Sequence, residues 1–205
     1  MDRFSLFFAF YGLILGLALT EILSGFGHLV RTRSLHRMEA QTALLALFTF
    51  LAITTVWIDA FTTLDKVQLT IQSLWPAILT ATFYYLAASV VFPSEPADFD
   101  RLADYYAERK RFVVALLFAC ELLATYMYLP LIEIGFREQQ AAMWLYYLPF
   151  NLLMKGSYIG VFFARGRRAN LAWLAMLILL LTAQYWGNGA IGDWIEQNYG
   201  ASWSR

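Results

Sequence analysis

The sequence predicts an all-α membrane bundle of six transmembrane helices with both termini outside, and three observations predict it. First, six apolar runs, Phe4–Val30, Gln41–Thr63, Gln72–Phe92, Phe112–Ile134, Ala141–Ala164 and Asn170–Trp186, meet or approach the roughly 20 residues a helix needs to cross hydrocarbon. Second, the 205 residues are 60% hydrophobic and 15% charged, against about a quarter charged in soluble domains. Third, Lys and Arg alternate between rich and poor connections. Arg31, Arg33, Arg37, Arg101, Arg109, Lys110, Arg111, Arg165, Arg167 and Arg168 collect on one side, against Arg3, Lys66, Arg137 and Arg205 on the other. Positive connections stay cytoplasmic, which sets the N-out/C-out orientation. One integral domain, 1–205, covers the chain.

The first run opens with Met1-Asp-Arg-Phe4, which lacks a positive leader region, and no A-x-A-like cleavage site follows, so it reads as a retained helix. Gly12, Gly16, Thr20 and Ser24 recur along it every fourth residue, a small-residue stripe that admits another backbone. Glu21 lies beside that stripe. The second run carries Trp57 and Asp59 near its outer end. After the third come Pro93-Ser-Glu-Pro96 and a polar amphipathic segment, 97–111, read as a cytoplasmic helix leading into the fourth span. Pro96 suits a first turn, and Asp98 and Asp100 suit the positive end of the dipole. Asp100, Asp104 and Glu108 form an acidic stripe beside Leu102, Tyr105, Tyr106 and Phe112. It is either a solvated face or a dock for a cytoplasmic partner.

The fourth run holds Cys120 and Glu121. Cys120 is the only cysteine, so no disulfide or thiolate cluster forms within the chain, and a small packing role is its ordinary meaning. In the fifth run Gly156, Gly160 and Ala164 repeat the small-residue stripe beside Lys155. Glu21, Glu121 and Lys155 each lie nine residues from the inner end of their run. That places all three roughly 14 Å deep, near the midplane. The two stripes predict that spans one and five pack together and that Glu21 pairs with Lys155. The tail, 187–205, reads as glycine-broken and interfacial, with Trp194, Ile195 and Tyr199 on the outer leaflet.

An intramembrane charge costs several kcal/mol unless paired or hydrated, so these residues are the site candidates. In one reading the ion pair only fixes helix register. In the other, two carboxylates compete for one ammonium and the spare one carries a proton or cation along a path lined by Glu21, Glu121 and Lys155. Trp57, Trp75, Trp144, Trp186, Trp194 and Trp203 cluster at the outer ends as an aromatic belt. The sharper reading of that belt is an outer rim for a lipid or hydrophobic ligand, built by Trp57, Trp144 and Trp186 with Asp59, Glu133, Asp193 and Glu196.

Other chemistry finds little support. Net charge is zero with no long basic tract, which excludes nucleic acid as a partner. His28 and His36 do not bracket a haem, and no H-E-x-x-H, G-x-S-x-G, S-x-x-K or T-V-G-Y-G occurs, so no cofactor, metal or catalytic residue is expected. Ser24 and Ser157 read as packing residues. Three spans plus three would permit inverted repeats, and no residue-level match between the halves supports them. The expected partners are the lipid bilayer, a second copy of the chain and a cytoplasmic protein at 97–111.

The strings Phe10-Tyr-Gly-Leu-Ile-Leu-Gly-Leu-Ala-Leu-Thr-Glu21 and Phe83-Tyr-Tyr-Leu-Ala-Ala-Ser-Val-Val-Phe-Pro93 resemble an uncharacterised group of bacterial six-helix inner-membrane proteins. The resemblance is best over the first half. It implies a bacterial inner membrane and carries no activity, cofactor or substrate. The expected function is proton, cation or small-solute movement. The rival is a non-catalytic accessory, sensor or lipid-binding protein acting through a partner.

Overall fold

The computed structural model describes residues 3–32, 38–63, 71–95, 99, 101–186 and 188–203, and their regular structure is helical throughout. The helices are α1 (Arg3–Arg31), α2 (Ala40–Thr63), α3 (Ile71–Val91), α4 (Leu102–Met127), α5 (Leu129–Glu138), α6 (Gln140–Ala142), a π-helical turn (Met143–Tyr147), α7 (Leu148–Phe163), α8 (Arg167–Trp186) and α9 (Asn188–Trp203). Lys66, Arg33, His36, Arg37, Pro96, Asp98, Asp100 and Arg205 lie outside the described residues, as do the side chains of Trp186 and Trp203.

Four stretches are long and apolar enough to cross a membrane: Phe7–Arg31, Ala40–Thr62, Leu74–Val91 and Arg167–Tyr185. A fifth exists if Leu102–Met127 and Ile132–Glu138, bent by 56°, count as one span. The chain is thus multi-pass by length and composition. The fifth predicted run is helical as well, but divided into pieces of 3, 5 and 16 residues. Proline explains the division. Pro149 lacks the N–H that would bond the carbonyl four residues back, and the ladder just before it widens, with the Leu148 N–H reaching the Met143 carbonyl. Pro130, in the first turn of α5, accompanies the bend after Met127.

Backbone polarity is satisfied within each helix, as an apolar surrounding demands. The hydroxyls follow the same rule. Thr49, Thr54, Thr80, Thr82, Thr125 and Ser157 each donate to the carbonyl four residues back, at 2.8–2.9 Å. Ser157 is fully buried, consistent with packing. Cys120, also fully buried, donates its thiol from α4 to the Thr80 carbonyl of α3 at 3.5 Å.

One contiguous apolar core joins α1, α2, α3, α4, α7 and α8. α4 packs chiefly on α3, α3 on α1, and α2 and α7 both on α8. The predicted packing of spans one and five is therefore corrected: α1 lies on α3 and α2, and α7 on α8 and α4. The reason is the larger apolar seam. Tyr11, Leu15, Ala18, Ile22, Gly25 and Leu29 recur every three or four residues and are buried, whereas Gly16, Thr20 and Ser24 turn toward the exposed face. Gly12 lies against the Trp57 indole of α2, and Gly156 meets nothing within 4 Å. Gly160 is pressed on the Trp173 ring, so this stripe glycine brings α7 close to α8 and not to α1.

The segment before the fourth span is continuous with it in α4. Its Leu102 and Tyr106 are buried, and the Tyr105 hydroxyl donates to the carbonyls of Val90 and Phe92 at 3.1 and 3.2 Å, tying it to the end of α3. The tail differs from expectation. Despite Gly189, Gly192 and Gly200, each costing about 1 kcal/mol of helix propensity, α9 runs 16 residues. Packing compensates: Ile195 lies on Ala141 and Ala142, and Glu196 Oε2 accepts from the Ala142 N–H at 3.1 Å. Gly192 leaves the space the Tyr147 hydroxyl occupies.

Candidate functional site

Four helices turn polar side chains toward a common cavity inside the apolar bundle. α2 supplies Thr55 and Asp59, α4 Glu121 and Thr125, α7 Asn151 and α8 Gln184 and Tyr185, around a cavity of about 210 Å³. Tyr84, Tyr128 and Tyr158 complete a wall of phenol rings.

Spacing on α7 builds the cationic corner. Asn151 and Lys155 are four apart and so share a face, and the Lys155 ammonium donates to Asn151 Oδ1 at 3.3 Å and to Glu121 Oε1 at 3.2 Å. Asn151 in turn donates its amide to the Tyr147 carbonyl at 3.0 Å. That carbonyl lies at the end of the π turn, so the irregular backbone orients the amide that holds Lys155. The Lys155 and Glu121 side chains are 20% and 25% exposed, sheltered but reachable.

The opposite corner is anionic. Asp59 Oδ2 accepts a short hydrogen bond from the Tyr185 hydroxyl, which also approaches the Thr55 carbonyl at 3.4 Å. Among the described residues no cation lies within ion-pair distance of Asp59. Two carboxylates therefore line the cavity, and the neighbouring Lys155 ammonium is committed to Glu121.

The predicted residues are redistributed by this geometry. Lys155 pairs with Glu121 and not with Glu21, because α7 packs on α4 and α1 does not reach it with its Glu21 face. Glu21, half-buried on α1, lines a separate cavity of about 250 Å³ with Ser24, His28, Arg31, Ser89 and Ser94, where His28 stacks on Phe99 at 4.1 Å. Asp59, assigned by its position to an outer rim, lines the central cavity instead, whereas Trp57 and Trp144 are exposed at 45% and 47% away from it. Glu133 pairs with Arg137 at 2.6 Å on the surface, and Glu196 accepts from the Ala142 N–H in the α9 contact.

Sequence reasoning missed Asn151, Tyr128, Gln184 and Tyr185. Asn151 was findable, four residues before Lys155 on one helical face. Tyr185 had no local signal, since its partner Asp59 lies on another helix. Among the described residues no three His, Cys, Asp or Glu side chains are grouped to hold a metal ion.

No protein family, curated protein or solved structure matches this chain.

Proposed function

We propose that this protein moves a proton or a small cation across a bacterial inner membrane, through the cavity lined by Asp59 and Glu121, with Lys155 paired to Glu121 beside it. The observation that carries the reading is the uneven charge of that cavity. A lone register-fixing pair needs one acid and one base, whereas here a second carboxylate lines the same cavity and, among the described residues, its side-chain partner is the Tyr185 phenol. Such a group costs several kcal/mol when charged in hydrocarbon, which makes it expensive unless it binds something.

Polar, hydroxyl-lined surroundings suit that task. Lys155 holds Glu121 by charge and leaves Asp59 as the exchangeable site, with Tyr185 as the donor that yields when a cation or proton arrives. Glu21 and His28, in the separate cavity that Arg31 also lines, would supply a second station nearer the Arg-rich end. In this reading the chain crosses six times, N-out/C-out, with 140–163 as the fifth crossing.

Flux of protons, potassium and sodium into liposomes carrying the purified protein tests the proposal. The informative variant is Asp59→Asn, which removes the spare carboxylate without stranding Lys155. Flux in the wild type that the folded variant loses supports transport at this site. Absence of flux from folded, inserted protein overturns it and favours an accessory role.

A further inference from the structure

A cluster of cations lines another cavity that shares no residue with the one just described. Lys110, Arg111, Arg165 and Arg167 line a cavity of about 560 Å³ together with Tyr106 and Asn170, against only two carboxylates, Glu39 and Glu108. The amino ends of α2 and α8, at Ala40 and Arg167, border it and add their positive partial charge.

Two buried groups there are incompletely used. Lys110 is 6% exposed, yet its ammonium donates only to neutral oxygens, the Ala164 carbonyl and Asn170 Oδ1. No carboxylate pairs with it among the described residues, and one of its three N–H bonds is unspent. Tyr106, also 6% exposed, has a buried hydroxyl with no hydrogen-bond partner among the described residues. A buried cation and a buried hydroxyl left so are each costly, and an anionic oxygen in the cavity would satisfy both.

What adjoins the cavity identifies the bearer of that oxygen. Along the same α4–α7 seam runs an apolar groove of about 240 Å³, lined by Val114, Ala115, Phe118, Ile159, Phe162 and Phe163. Arg111 bridges the two, its guanidinium 5.8 Å from the Phe162 ring centre. A basic pocket opening onto an apolar groove matches a phosphate head joined to an acyl chain. We infer that this is a binding site for one anionic phospholipid, with phosphate held by Lys110, Arg111, Arg165, Arg167 and Tyr106 and a chain laid between α4 and α7.

The test titrates detergent-solubilised full-length protein with short-chain phosphatidylglycerol, short-chain phosphatidylcholine and inorganic phosphate, reading thermal unfolding and lipid retention by native mass spectrometry. Arg111, Arg165 and Arg167 are exposed, so the Arg111→Gln, Arg165→Gln, Arg167→Gln triple variant should fold as the wild type does. Phosphatidylglycerol should raise the midpoint saturably, phosphatidylcholine should not, and the triple variant should bind about tenfold or more weakly. Ile159→Trp, which fills the groove, should weaken lipid binding alone. Inorganic phosphate matching the lipid, with Ile159→Trp indifferent, would overturn the lipid assignment and leave a free-anion site. No shift, or an equal shift in the triple variant, would overturn the site altogether.

Discussion

Lys155 decides the electrostatics of the central cavity, because one ammonium can neutralise only one of the acids near it. Its pair with Glu121 is sheltered, so removing either partner leaves the other without a counter-charge. Glu121→Gln and Lys155→Met should each lower stability by about 2 kcal/mol, discounted for partial exposure. The double variant should recover part of that, a coupling of about 1–2 kcal/mol in a denaturation cycle. Additive losses would mean the pair contributes nothing beyond its separate contacts. Glu21→Gln, combined with Lys155→Met, should by contrast show no coupling, since Glu21 lines a separate cavity and Lys155 pairs with Glu121.

Helix packing turns on a few close approaches rather than on whole stripes of small residues. A Cβ at Gly160 would overlap the Trp173 ring and push α7 from α8, while one at Gly156 would meet open space. Gly160→Ala should therefore lower the unfolding midpoint, at a cost of about 1–3 kcal/mol less whatever the better helix former returns. Gly156→Ala should be neutral or slightly stabilising, which the same melting experiment reads. Two glycines four apart on one helix thus differ in consequence. Periodicity marks both as small; only the neighbour makes one of them tight.

At the scale of the whole molecule, the crossing number rests on the bent pair α4–α5 and on the segment from Gln140 to Phe163. If that segment spans the bilayer, Gln139 and Gly166 lie on opposite faces. Single cysteines placed there should then react with an impermeant maleimide from opposite sides of oriented vesicles, Gln139→Cys from the outside. The native thiol of Cys120 is fully buried and stays silent. Labelling of both positions from one side would make this segment re-entrant and move the two termini to opposite faces.

Much of this was legible in the sequence for a physical reason: crossing hydrocarbon needs a long apolar helix, and length and hydropathy are local properties. The apolar runs, the helix over 102–111 and the presence of Glu121 and Lys155 within apolar runs all follow from such properties. The irregular stretch before α7 had a local cause as well, Pro149. Which helices touch was not legible, because every apolar face is equally suited to lipid or to another helix. That choice belongs to shape, settled by the buried seam of α1 and by Gly160 against Trp173. Only once α4 lies on α7 does Lys155 meet Glu121, and only once α2 lies on α8 does Tyr185 meet Asp59. Sequence by itself thus determined what must be in the membrane and which charges are expensive there. Tertiary structure decided which charge answers which, since pairing depends on distances between helices that no local pattern encodes.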